Sequence, residues 1–209
     1  MISKAKHAEI AKGWSGVHYQ HFPRLKKRLP FLLPLLDCLK GKDVLEFGSN
    51  AGMYGWHLAQ IAKSYTGVDY QAQYHKQALH TQKFIENPNV TFLNMNVKDF
   101  VKVTKADPEK HPFNAIFMSY VLYHFSDKEV KRMKETLLPK CDIVFIQTRN
   151  AARDTGRKGR TEHNSGKFWL ESKVRKWLES AGFECETHWP KGKEFHEIIG
   201  RRKQVENQG

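Results

Sequence analysis

From Asp43 onward, short apolar runs alternate with longer segments in which apolar residues recur at helical spacing. This alternation is typical of repeated βαβ units, in which helices connect the parallel strands of one sheet. Residues 113–119 are apolar almost throughout, as expected for a strand that is buried on both faces. The pattern predicts an α/β protein with a mostly parallel sheet.

The boundaries of these elements follow from the turn residues and the apolar spacing. Gly182 comes directly after a helical pattern and predicts its C-terminal end. Pro190 and Gly192 separate the last two apolar runs, which favours a hairpin and therefore antiparallel pairing. The predicted strands are residues 43–48, 64–69, 89–94, 113–119, 141–148, 183–189 and 195–201, and the predicted helices are residues 53–63, 71–86, 127–138 and 168–181.

The chain is long enough for one sizeable core, since it has 209 residues of which 40% are hydrophobic. Residues 1–42 are basic and rich in aromatics, and we expect them to form a helical leader or lid. Residues 43–203 are predicted to be the main domain, and residues 204–209 a frayed tail. A polar connection at 149–167 carries six basic residues, and connections of this length are usually disordered or functional.

Charge and cysteine content restrict the partners of the chain. Lysine and arginine number 35 against 22 acidic residues, and the net charge of +13 favours an anionic partner. The three cysteines are far apart and no CxxC or HExxH occurs, so neither a disulfide scaffold nor a metal site is predicted. The most apolar run, 29–36, is too short to cross a membrane, and residues 1–12 lack a signal-peptide pattern. We therefore expect a cytoplasmic protein with no membrane partner.

The most informative motif is Glu46-Phe-Gly48-Ser-Asn50-Ala-Gly52, which joins the first predicted strand to a helix. Glycines in such a turn let a ligand approach the backbone, and the free amides at a helix start suit a carboxylate or phosphate. The dinucleotide fingerprint needs GxGxxG, whereas these glycines are spaced as GxxxG, which counts against NAD or FAD. The turn therefore predicts a ligand site of another kind.

This turn resembles the E/DxGxxxG motif of class I S-adenosylmethionine-dependent methyltransferases. Residues 67–70, GVDY, resemble the acidic end of that family's second strand, and residues 92–97, FLNMNV, resemble its third motif. Residues 113–125, FNAIFMSYVLYHF, resemble the pattern around its fourth strand. The resemblance implies a three-layer αβα Rossmann-like fold with strand order 3-2-1-4-5-7-6 and an antiparallel last strand. It also implies S-adenosyl-L-methionine as cofactor and S-adenosyl-L-homocysteine as product.

The resemblance also assigns roles to residues at the carboxyl edge of the sheet. Glu46 is expected to meet the ammonium group of the cofactor, and Asp69 to accept hydrogen bonds from its ribose diol. Asn96 is expected to pair with adenine, with a purely structural position at a strand end as the alternative. The complete predicted cofactor set is Glu46, Gly48, Ser49, Asn50, Gly52, Asp69, Tyr70, Asn96, Val97 and Ser119.

His124 is the first candidate for a general base, because histidine titrates near neutral pH. The alternative is that it only packs beside the helix start at Ser126. Tyr120 and Tyr123 complete the predicted catalytic set, as residues that orient the acceptor or pack on it. The predicted acceptor-binding residues are Tyr19, Arg149 and Arg153. The alternative for Tyr19 is that the leader is a surface helix whose aromatics complete the core. The alternative for Arg149 and Arg153 is that they belong to a solvated charged loop.

The predicted reaction is methyl transfer to an O or N atom of an anionic small molecule or glycan-type acceptor, because the VLYHF segment resembles small-molecule members of the family. An RNA or tRNA methyltransferase is one alternative, supported by the net charge and the interleaved aromatics. A non-catalytic module that keeps the fold for binding is another, and the intact glycine turn argues against it. The sequence lacks the [DNS]PP[YFW] motif, the Pro-Cys pair and the Lys-Asp-Lys-Glu set, which weakens several nucleic-acid options.

Overall fold

The structure is a computed structural model that describes residues 4–14, 29–149, 171–188 and 195–204. Predictions for leader residues 15–28, for the polar connection after residue 149, for the hairpin turn at 189–194 and for the tail after residue 204 lie outside the described residues.

Seven strands form one mixed sheet. The strands are β1 (Asp43–Phe47), β2 (Ser64–Asp69), β3 (Val90–Asn94), β4 (Ala115–Ser119), β5 (Ile143–Arg149), β6 (Phe183–His188) and β7 (Phe195–Arg202). Their order is β3-β2-β1-β4-β5-β7-β6. The pairs among β1 to β5 are parallel, whereas β7 is antiparallel to both β5 and β6. This confirms the predicted Rossmann-like fold, its strand order and its antiparallel last strand.

Helices connect the strands as the alternating pattern predicted. They are α1 (Lys4–Lys12), α2 (29–36), α3 (Gly55–Ile61), α4 (Ala72–Gln82), α5 (Val97–Ala106), α6 (Asp127–Thr136) and α7 (Glu171–Glu179). Three short 3-10 turns lie at Asp37–Leu39, Leu122–His124 and Leu138–Lys140. Helix α3 begins later than predicted because the residues before Gly55 are used by the glycine-rich turn.

Helix α5 was not predicted, although its sequence carries the necessary signals. Asn96 caps it by accepting a hydrogen bond from the backbone amide of Asp99 at 2.9 Å. Its buried residues recur at helical spacing and pack against the core, and they are Val97, Phe100, Val101 and Thr104. The helix therefore supplies the missing crossover between β3 and β4.

The core consists of two apolar layers, one on each face of the sheet. Leu45 and Phe47 belong to the layer that includes α5, α6 and α7, whereas Val44 belongs to the layer that includes α2 and α3. This alternation along β1 is what a strand covered on both faces requires. Among the described residues, no helix is long and apolar enough to cross a membrane.

The carboxyl ends of most strands meet at one edge of the sheet. Strands β1 to β5 are parallel, and β6 has the same direction because both β5 and β6 are antiparallel to β7. The amino end of β7 therefore lies at the same edge. Open α/β sheets bind ligands at this edge, so it is where the candidate site is expected.

Candidate active site

The glycine-rich turn leaves β1 at the carboxyl edge and adopts a conformation that its sequence makes possible. Gly48 and Gly52 have φ values of +71° and +76°, and Asn50 has a φ of +49°. Positive φ is accessible to glycine and tolerated by asparagine. A Cβ atom on Gly48 would lie 2.7 Å from a methyl carbon of Val121, so no larger residue fits there without movement. The turn is thus packed directly against the chain that follows β4.

Asp69 at the end of β2 is joined directly to this turn. Its Oδ2 accepts a hydrogen bond from the backbone amide of Asn50 at 3.0 Å, and its Oδ1 accepts one from the amide of Gln71 at 2.9 Å. Burial raises the pKa of Asp69, and these two amides and the nearby His124 and His75 act in the opposite direction. The structure therefore brings the two main predicted elements side by side on one edge.

Glu46 is buried beneath the turn rather than exposed in it. Its Oε2 accepts a hydrogen bond from the phenol of Tyr65 at 2.5 Å, and its Oε1 has no partner among the described residues. Burial raises the pKa of Glu46 to about 8, while the bond from Tyr65 lowers it and the charge of Asp69 raises it further. A cationic group of a ligand would supply the missing donor to Oε1.

The predicted adenine-side residues occupy different environments. Tyr70 follows Asp69 and is 67% exposed, so its ring is available to a base. Asn96 is exposed and its side-chain oxygen already caps α5, whereas Val97 is buried in the core. An amide oxygen has two lone pairs, so the cap and an adenine contact are compatible at Asn96.

Ser119 at the end of β4 belongs to a buried polar network. Its hydroxyl donates to Oε1 of Gln147 on β5 at 2.7 Å, and the phenol of Tyr54 donates to the same oxygen at 3.1 Å. The amide nitrogen of Gln147 donates to the buried carboxylate of Glu197 on β7 at 2.7 Å. Gln147 therefore connects the start of α3 with three adjacent strands beside the glycine-rich turn.

The predicted catalytic segment leaves β4 through a strained residue. Tyr120 has a φ of +54°, a conformation that costs a non-glycine residue on the order of 1 kcal/mol or more. Its backbone amide still donates to the carbonyl oxygen of Gln147 at 2.9 Å. This bend leads into the 3-10 turn that carries His124, which is exposed and close enough to Asp69 to influence it electrostatically. The side chain of Tyr123 lies outside the described residues.

The predicted acceptor-binding residues are mostly outside the part of the chain that the structure describes. Tyr19 and Arg153 are not described, and Arg149 is described only as the last backbone position of β5. That position nevertheless puts the start of the basic connection at the carboxyl edge.

Two residues of the site were missed by sequence reasoning because their partners are distant in the chain. Tyr65 lies on β2 two positions before Gly67, which pairs in register with Glu46. Alternation along β2 puts residues 65, 67 and 69 on one face, and this signal was available in the sequence. The contacts of Gln147 depend on strand order, which no local pattern contains. No group of residues suited to hold a metal ion occurs within the described ranges.

Comparison with known proteins defines the class. A family model described as a methyltransferase domain matches residues 17–188, which is most of the chain. The structure of DhpI in complex with S-adenosylhomocysteine is similar over 94% of this chain and 96% of that one, with a TM-score of 0.66 and 18% identity. The chain belongs to the class I S-adenosylmethionine-dependent methyltransferase family. The predicted family is confirmed.

Two curated relatives share the name tRNA U34 carboxymethyltransferase. The protein from Alteromonas mediterranea is 29% identical over 138 residues, which cover 62% of this chain and 40% of the relative. The protein from Ruthia magnifica subsp. Calyptogena magnifica is 28% identical over 162 residues, which cover 73% of this chain and 49% of the relative. The chain thus spans about half the length, or less, of the curated relatives it matches.

Proposed function

We propose that the protein transfers a methyl group from S-adenosyl-L-methionine to an anionic acceptor, and that this acceptor is RNA of the tRNA type. The observation that carries the methyl-transfer part is the 3.0 Å hydrogen bond between the amide of Asn50 and the carboxylate of Asp69. This bond holds the glycine-rich turn next to the carboxylate of Asp69, which is predicted to bind the ribose, so that one nucleoside ligand could contact both. The names of the curated relatives support RNA as acceptor.

The chain's residues would hold the cofactor at both ends. Asp69 has lone pairs left on each carboxylate oxygen for the ribose hydroxyls, since each oxygen accepts one backbone amide. Oε1 of Glu46 would accept from the ammonium group. The methyl group would then lie at the carboxyl edge beside Ser119 and Tyr120. Tyr70 and Asn96 would face the adenine.

Methyl transfer needs alignment more than it needs a strong catalyst. S-adenosylmethionine, held by the glycine-rich turn and Asp69, would supply a methyl group that its sulfonium activates, and the acceptor atom would have to lie in line with that carbon–sulfur bond. Holding the two reactants in that line is worth about 7–11 kcal/mol. Where the acceptor carries a proton, His124 would take it, and the exposure of His124 would let the proton pass on to water.

The distribution of charge supports an anionic acceptor at this edge. Both ends of the connection 150–170 are attached there, because β5 ends at Arg149 and Glu171 at the start of α7 accepts a hydrogen bond from Thr187 near the end of β6. The connection 189–194 also begins and ends at this edge. Together, the connections 150–170 and 189–194 contain seven basic residues and three acidic ones. At the opposite edge, by contrast, two described lysines are paired with carboxylates, Lys42 with Asp142 at 2.8 Å and Lys63 with Asp43 at 3.2 Å.

An anionic small-molecule or glycan-type acceptor is the second candidate. One sequence feature favours it: residues 121–125, VLYHF, resemble the corresponding segment of small-molecule members of the family. A metabolite that carries phosphate, sulfate or carboxylate would have Arg149 and Arg153 as its cationic contacts.

A single labelling experiment distinguishes the candidates. The purified chain is incubated with methyl-labelled S-adenosylmethionine and either unmodified tRNA transcripts or a mixture of sugar phosphates and nucleotides. We expect label in tRNA, with Asp69→Asn lowering cofactor affinity at least tenfold and Asp142→Asn, at the opposite edge, leaving it within twofold. His124→Ala should lower turnover at saturating cofactor without changing cofactor affinity. Mass analysis of the product separates a methyl group from a carboxymethyl group.

Each other result has a defined meaning. Label in the small molecules alone would replace RNA with the second candidate. Normal turnover of His124→Ala would make His124 structural. Absence of cofactor binding by the wild-type chain, measured by calorimetry with S-adenosylhomocysteine, would overturn the methyl-transfer proposal itself and favour a non-catalytic module.

A further inference from the structure

The N-terminal helix α1 packs against the rear of the glycine-rich turn. Ile10 and Trp14 form a buried cluster with Ala51 of the turn and Trp56 of α3. Ala51 is fully buried and lies between Asn50 and the second glycine of the motif. A segment far outside the methyltransferase motifs therefore touches the centre of the cofactor turn.

A relay of two hydrogen bonds links this helix to the backbone of the turn. The indole nitrogen of Trp14 lies 2.9 Å from Oγ1 of Thr81 on α4, and an indole N–H can only donate. Oγ1 of Thr81 lies 2.6 Å from the carbonyl oxygen of Ala51 and 3.1 Å from that of Gln77. A hydroxyl has one proton to donate, and the shorter contact assigns it to Ala51. The direction of the relay is thus Trp14 to Thr81 to Ala51.

The turn has little freedom to adjust if this relay is broken. The carbonyl of Ala51 is in a fully buried residue, and Thr81 is itself 0% exposed, so water does not readily replace the hydroxyl. A Cβ atom on the adjacent Gly52 would lie 2.8 Å from the ring of Phe92 and 3.4 Å from Cβ of Thr81. The turn is therefore closely packed against β3 and α4 at Gly52, with no room there for a side chain.

We propose that Thr81 is a positioning residue for the cofactor turn and that Trp14 acts through it, so that docking of α1 sets the affinity for the cofactor. The proposal rests on the proposed function, in which this turn holds S-adenosylmethionine. Removal of the hydroxyl leaves the Ala51 carbonyl without its donor, and the peptide planes that follow it no longer present their amides in one fixed direction. The cofactor then has to order the turn when it binds, which weakens binding.

A matched pair of variants tests this idea. Thr104 on α5 is also buried, at 3% exposure, and its hydroxyl donates to the carbonyl of Phe100, four residues earlier in its own helix, at 2.9 Å. Thr81→Val and Thr104→Val therefore remove the same group from the same kind of site, but only the first breaks the relay. We expect Thr81→Val to raise the dissociation constant for S-adenosylhomocysteine about tenfold, and Thr104→Val to change it less than twofold.

Two further variants separate positioning from a loss of folding. Thr81→Ser keeps the hydroxyl and is expected to restore affinity to within about twofold to threefold of wild type. Trp14→Phe keeps an aromatic ring but removes the N–H donor together with part of the indole volume, so it should weaken binding severalfold, but should add little in the Thr81→Val background. Because Trp14→Phe and Thr81→Ser retain most of the packing, they keep the test decisive even if Thr81→Val does not fold.

The outcomes are distinguishable from failure of the proposed function. A wild-type chain that does not bind S-adenosylhomocysteine overturns the proposed function and this proposal with it. A wild-type chain that binds, together with equal affinities for the Thr81→Val and Thr104→Val variants, overturns only the positioning role. Additive effects of Trp14→Phe and Thr81→Val would overturn the claim that Trp14 acts through Thr81.

Discussion

At the residue scale, Glu46 would couple folding and pH to ligand binding if it makes the proposed contact with the cofactor. It lies at the end of a buried strand, is 1% exposed and has a single described hydrogen bond, from Tyr65. Burial raises its pKa to about 8, so the group is mostly protonated at neutral pH when the site is empty. An arriving ammonium group favours the carboxylate form. Cofactor binding below this pKa should therefore release a proton.

The same shift predicts how stability depends on pH. The pKa of Glu46 is raised from 4.5 to about 8, so between these values the folded chain holds a proton that the unfolded chain has lost. The contribution of this group to the free energy of unfolding is greatest below pH 4.5 and falls as pH rises through the window, by up to about 1.4 kcal/mol per pH unit. Relative to wild type, Glu46→Gln should thus become more stable from pH 5 to pH 8.

Denaturant titrations of the two proteins without cofactor, at several pH values, measure this difference. Calorimetry at pH 7 in buffers of different ionisation enthalpy measures the released proton, which Glu46→Gln should not release. If the free energies of unfolding of wild type and Glu46→Gln changed in parallel with pH, the raised pKa of Glu46 would be contradicted. A buffer-dependent heat that persists in Glu46→Gln would assign the proton to another group.

At the scale of elements, local pattern was enough for the strands and for the glycine turn. A strand buried on both faces is continuously apolar, and a turn that needs positive φ at Gly48 and Gly52 carries glycine there, so each leaves its mark in neighbouring residues. Helix α5 was missed although its cap and spacing were present. The contacts of Tyr65, Thr81 and Gln147 join elements that are far apart in the chain, and they require register and packing that no local pattern contains.

Asn96 links an element to the site, because it both caps α5 and is the predicted adenine contact. Asn96→Asp keeps an oxygen for the cap but loses the amide donor, whereas Asn96→Ala loses both. We expect Asn96→Ala to lower the free energy of unfolding by about 1 kcal/mol and Asn96→Asp to leave it nearly unchanged. Both variants should weaken cofactor binding, in calorimetry with S-adenosylhomocysteine. An Asn96→Asp variant with wild-type affinity would reduce Asn96 to a helix cap.

At the scale of the molecule, the two edges of the sheet differ in how their basic residues are arranged. At the opposite edge of the sheet, two of the described lysines, Lys42 and Lys63, are paired with carboxylates, and the Lys63–Asp43 distance is 3.2 Å. The carboxyl edge anchors both ends of a connection, 150–170, that contains five basic residues and two acidic ones. A net charge of +13 would attract any polyanion from a distance, but only charges tethered at the site touch a bound one.

This asymmetry yields a comparison at constant net charge. One variant replaces Arg153, Arg157, Lys158 and Arg160 in the connection with glutamine, and the other replaces Lys40, Lys63, Lys140 and Lys203 near the opposite edge. Both variants have four fewer positive charges, so a purely long-range attraction to tRNA would weaken equally in the two. If the connection binds phosphates, only the first variant leaves some of them without a cationic partner.

The slope of log affinity against log salt for that variant then becomes shallower by about 0.7 to 0.9 for each phosphate that is no longer neutralised. Filter binding to tRNA across a salt series measures both slopes, and equal slopes in the two variants would remove the connection from the RNA interface.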